Sequence, residues 1–92
     1  MGFLSSIYNK MVEASGELIQ RKYGIRHPYD SIDVVSNLIF GPRDRDEKVS
    51  CVREIMSWLR VEADRGNKYA EEARQSIKKM HQRFLVSNNI KL

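Results

Sequence analysis

The chain has 92 residues, enough for one domain and too few for two separate cores. At 41% apolar and 30% charged, its composition is that of a folded globular chain rather than a disordered one. A single cysteine excludes an internal disulfide, and no apolar run approaches the ~20 residues of a membrane span.

The formal net charge of +4 is unevenly placed. Up to Asp46, six basic and six acidic residues cancel; from Glu47 onward ten basic face six acidic. An excess of this kind suits contact with nucleic acid or another acidic surface. A core this small also favours self-association that buries more helix surface.

In chain order, Met1-Gly2 with Ser6 fits a loose myristoylation pattern, making Gly2 the lipidation candidate. Phe3 directly after the glycine suits that modification poorly, so Phe3 and Leu4 are expected to pack on the domain. The start lacks a basic segment leading into a long apolar core, so no secretory signal is expected. A first helix is predicted over about 3–23, with apolar residues at Leu4, Ile7, Tyr8, Met11, Val12, Leu18 and Ile19. Gly24 supplies its stop. After the connector around Pro28, Asp30 is expected to cap a short helix over 31–40, with Val34, Val35, Leu38 and Ile39 as its apolar face. Gly41-Pro42 ends it, and Asp44 or Asp46 caps the next.

The third helix, about 46–65, organises the chain. Val49, Val52, Ile55, Met56, Leu59 and Ala63 recur at three- and four-residue steps, and the stretch holds Cys51 and Trp58. Gly66 stops it, and Asn67 can cap a fourth helix over 68–87 with a core stripe of Tyr69, Ala73, Ile77, Met80 and Phe84. So short a turn makes the last two helices antiparallel. Asn88-Asn89 closes the fourth helix, and the last residues are expected to fray. The expected fold is all-α: a single domain over 1–92, a small bundle of about four helices ending in an antiparallel hairpin.

No residue pattern points to catalysis. His27 stands in a loop, His81 on a basic helix, and neither has a serine or cysteine placed beside it by sequence logic. Both are read as ordinary, partly exposed side chains, and Cys51 as a small buried hydrophobe. Histidines at 27 and 81 with one cysteine at 51 give no metal-ligand spacing, and no glycine-rich phosphate loop exists, so no metal or cofactor is expected.

The strongest surface candidate is the fourth helix. Arg74, Lys78 and Gln82 form one row and Gln75, Lys79 and Arg83 the next, a broad face that could follow a phosphate backbone with steeply salt-dependent affinity. The helix dipole favours cations at that end whether or not anything binds, so a solvated face and a binding face both remain open. Arg21, Lys22 and Arg26 form a second basic cluster at the end of the first helix. An apolar stripe around Trp58 offers a second mode, docking a partner protein or another copy. Membrane contact, if any, would be peripheral, through the N-terminus and the basic clusters.

From Cys51 to Leu85 the order of residues resembles the central part of the geminivirus precoat proteins. The matching elements are Val52-Arg53-Glu54-Ile55-Met56, Leu59-Arg60, Tyr69, Glu71 or Glu72 with Ala73-Arg74, and His81-Gln82-Arg83-Phe84-Leu85. Between Leu59-Arg60 and Tyr69 this chain runs several residues longer than usual for the family, and its first forty residues match poorly. The resemblance implies a non-enzymatic viral accessory protein that suppresses plant RNA silencing and supports virus spread. It further implies self-association, binding of RNA or a host silencing protein, and a place in the host cytoplasm and around the nucleus. On the same basis the family's features around the leucine-arginine pair and the tyrosine carry over to Leu59, Arg60 and Tyr69.

Overall fold

The computed structural model describes residues 16–91. Gly2 and the apolar residues expected to begin the first helix lie outside them. Among the described residues the chain is helical throughout its regular structure and holds no strand. Residues 16–23 are helical (α1), followed by α2 (Asp30–Phe40), α3 (Arg45–Asp64) and α4 (Lys68–Ser87). The protein is a small all-α bundle.

The helix ends follow local chemistry. Asp44 caps α3 by accepting from Glu47 N at 2.9 Å, and Asn67 caps α4 by accepting from the amides of Tyr69 and Ala70. Gly24 and Gly66 take φ of 67° and 98°, where a side chain would be strained, and each reverses the backbone at a helix end. At Gly66 the amide of Asn67 returns to Glu62 O at 3.1 Å. Asn89, at φ 56°, does the same for α4, with Ile90 N donating to Leu85 O at 2.9 Å.

Two terminal expectations need correction. Asp30 does not cap α2: Tyr29 occupies that position without a side-chain hydrogen bond. Instead Asp30 Oδ2 accepts from the amides of Arg26 and His27, each at 2.9 Å, fastening the connector before the helix. Nor does the chain fray directly after α4, because Ile90 folds back into the core at 4% exposure.

The core is built around α3. Val52, Ile55 and Leu59 are fully buried and Met56 nearly so, meeting Val35 and Leu38 of α2 and Ala70, Ala73, Ile77 and Leu85 of α4. Cys51 is buried as a small hydrophobe. The start of α3 lies beside the end of α4, where Arg45 Nε donates to Asn88 Oδ1 at 2.8 Å, so these two helices run antiparallel. On another side of α3, Tyr23 and Lys22 both donate to Glu54 Oε1 and hold α1 in place.

The buried stripe of α4 differs from the expected one. It runs Ala70, Ala73, Ile77, His81 and Leu85, whereas Tyr69 and Met80 are 42% and 58% exposed. The alanines turn inward because their small side chains let α4 approach its neighbours closely, leaving the larger residues outside. At His81 the helix is bent, with φ −126° and ψ 27°, where the imidazole turns inward to Ser36. His81 is therefore a buried residue, not a partly exposed one. The hydroxyl of Ser31 is buried with no hydrogen-bond partner among the described residues, and nothing in the packing explains it.

Candidate functional site

The second half of α4 presents the most uniform surface chemistry in the described chain. Lys79, Gln82 and Arg83 are exposed and Lys78 half-buried, with Gln75 extending the face by a turn. Among the described residues no hydrogen bond or ion pair engages Lys78, Lys79 or Arg83. From residue 73 onward the sequence contains no aspartate or glutamate. Shallow depressions lined by Gln75, Lys78, Lys79 and Gln82, and by Gln82, Arg83, Val86 and Ser87, give the face relief without forming a closed pocket.

Arg74 belongs to this row by sequence but is used differently. Its guanidinium is half-buried and meets both carboxylate oxygens of Glu71 at 3.2 Å. Glu71 also accepts from Gln75 at 2.7 Å. The hydrogen bonds from Gln75 and Arg74 hold its carboxyl below the ordinary glutamate range. The first turns of α4 are thus internally neutralised, and the remaining positive charge lies farther along, at Lys79 and Arg83 and at Lys78, whose ammonium also helps hold Glu71 low.

The second basic cluster does not join this face. Arg21 pairs with Glu17 at 3.9 Å and Lys22 with Glu54 at 3.0 Å. Donation from Tyr23 and Lys22 holds the Glu54 carboxyl low, while burial, followed by contacts with Cys51 and Glu54, pushes the Tyr23 phenol up. Arg26 is exposed on the connector. That connector docks on the start of α4: the rings of His27 and Tyr29 lie 5.1 and 5.7 Å from that of Tyr69, and the Tyr29 hydroxyl donates to Glu72. From Tyr69 the helix rises by about 15 Å to Lys79 and by about 21 Å to Arg83.

The residues expected to dock a partner are dispersed. Trp58 and Leu59 are 9% and 0% exposed and belong to the core, so the expected apolar surface around Trp58 does not exist as a surface. Arg60 is exposed beside the returning segment at Asn89 and Ile90, and Tyr69 sits in the ring cluster with Lys68 Nζ 5.4 Å from its centroid.

A groove that periodicity does not reveal opens between the end of α2, the start of α3 and the second half of α4. Its volume is about 620 Å³ and its lining includes Phe40, Met80, Phe84, Arg45, Lys48 and Arg83. Phe40 is 79% exposed, and its position as the last residue of α2 was the available signal.

Beneath the groove, Ser36 Oγ lies 2.9 Å from His81 Nε2. That spacing matches a nucleophile and its base, but the other parts of such a site are missing from the described residues. No carboxylate hydrogen-bonds the imidazole, and Ser36 lies within α2, where backbone amides serve the helix rather than an oxyanion. The pair is read as a buried imidazole satisfying its hydrogen bond. Among the described residues no group of histidine, cysteine or acidic side chains could hold a metal ion. Among them, too, no helix is long and apolar enough to cross a membrane.

No family model, curated protein or solved structure matches the chain.

Proposed function

We propose that the protein is a non-enzymatic viral accessory protein that suppresses host RNA silencing and supports virus spread, acting through the outer face of α4 on RNA or on a host silencing protein. The observation that carries this reading is the basic face of exposed Lys79 and Arg83 and half-buried Lys78, on a stretch of sequence without aspartate or glutamate. The viral assignment rests on the resemblance over Cys51–Leu85. Many of its positions, among them Val52, Ile55, Met56, Leu59, Ala73, His81 and Leu85, are buried and serve packing in this fold. The exposed ones, Arg53, Arg60, Tyr69, Glu72, Gln82 and Arg83, are those left to recognise something. Action in the host cytoplasm and self-association belong to the same reading.

Fluorescence anisotropy with a short labelled single-stranded RNA tests the direct-contact form. Three cations on phosphates give a log–log salt slope of about −2, hence roughly a twentyfold loss of affinity between ~50 and ~200 mM salt. The double variant Lys78→Glu, Lys79→Glu should keep the wild-type melting curve and abolish that binding. Absence of binding at low salt, or binding indifferent to the variant, removes RNA as the ligand of this face and leaves the host protein. A second reading, a plain helical protein-interaction module, is favoured by the groove beside Phe40.

A further inference from the structure

We infer that the groove between α2, α3 and α4 is a docking site for an acidic amphipathic segment of a partner protein, one that shares only Arg83 with the outer face of α4 and does not depend on whether that face binds RNA. The floor is apolar and open. Phe40 and Met80 are 79% and 58% exposed, although exposed side chains of this kind usually stand singly, and here both line one depression with Phe84. The Phe40 ring is held edge-on to His81 at 5.8 Å, which fixes one wall. Met80, unbranched and polarisable, can adapt to an incoming aliphatic or aromatic side chain.

The rim decides the occupant. Arg45, Lys48 and Arg83 surround the floor, and no aspartate or glutamate lines the groove. Two of these cations are positioned by neutral partners that leave their charge uncompensated: Arg45 Nε donates to Asn88 Oδ1 at 2.8 Å and Lys48 Nζ to Ile39 O at 2.8 Å. At the start of α3, Asp44 accepts from Glu47 N and Glu47 pairs with Arg43, while Asp46 is exposed and does not line the groove. An apolar floor ringed by fixed cations complements a helix with apolar residues at i, i+3, i+4 and i+7 and carboxylates flanking them. A nucleic-acid strand would meet the same cations and could stack a base on Phe40, but would leave Ile39 and Met80 without a matching apolar surface.

The test uses the full chain and a fluorescein-labelled synthetic helical peptide with leucine at that spacing and glutamate elsewhere. Its counterpart carries lysine for every glutamate. The acidic peptide should bind at least about tenfold more tightly than the lysine peptide. Met80→Glu, which places a carboxylate on the floor at an exposed position, should weaken it by about tenfold or more while keeping the wild-type melting curve. Arg83→Glu should do the same from the rim. Lys78→Glu, Lys79→Glu, which tests the RNA reading, should leave peptide affinity within about threefold. Equal binding of the two peptides, or insensitivity to Met80→Glu and Arg83→Glu, overturns the proposal. Competition by RNA together with loss in the Lys78, Lys79 variant assigns the site to a polyanion instead. Sedimentation showing a dimer that Met80→Glu dissociates makes a second copy the occupant, and also overturns it.

Discussion

The imidazole of His81 is 8% exposed between α4 and α2, with Ser36 Oγ on Nε2 and the Phe40 ring against it. Burial disfavours its charged form and holds its pKa below the ordinary value of about 6.5. The unfolded chain therefore binds this proton more readily than the folded one, and stability falls as pH drops through the unfolded value toward the folded one. Asp30, Glu54 and Glu71 are also lowered, but because their charged forms are favoured, by amide, hydroxyl, ammonium, side-chain amide and guanidinium donors. Their contribution is lost only below about pH 4.5, outside the histidine window. The melting temperature should thus decline between about pH 7 and pH 5.5, and His81→Gln, which can still bond Ser36, should flatten that decline. An equal slope in both proteins would assign it to other groups.

At the scale of the helices, α3 is the element the rest is packed on. Leu59, fully buried among α2 and α4 residues, makes the clearest test: Leu59→Ala should cost about 2–5 kcal/mol in a denaturant titration. A wild-type midpoint would contradict the packing described. Much of this helix was legible in the sequence, because Val52, Ile55, Met56 and Leu59 mark a face by period alone and Asp44, Asn67 and Gly66 are stop and start signals with local causes. The fourth helix was legible in period but not in phase. Its inner face is set by Ala70 and Ala73, and small residues carry little hydrophobic signal, whereas Tyr69 and Met80 look like core and lie outside. Residue type alone also suggests surface for His81, and only the approach of Ser36 from α2 supplies the hydrogen bond that lets it be buried. The role of Asp30 is not legible from spacing, because its partners are upstream amides, a loop geometry that no periodicity encodes.

At the scale of the whole molecule, the packing sorts the charges that the sequence leaves mixed. Glu54 takes Lys22, Glu71 takes Arg74 and Glu47 takes Arg43, all ion pairs at exposed or partly exposed sites that add little stability. Their larger effect is to leave positive charge concentrated along the second half of α4 and around the adjoining groove. The exposure of Lys79 and Arg83 was foreseeable from helical spacing. The groove was not, since it depends on where α2 ends relative to α4, and the Trp58 side of α3 is buried. The most direct measurement is a leaf-patch assay of a silenced fluorescent reporter, co-expressing the wild-type protein or Lys78→Glu, Lys79→Glu at verified equal levels. The account predicts restored fluorescence with the wild type and continued silencing with the variant. Continued silencing with both, or restoration by both, would contradict a suppressor acting through the outer face of α4.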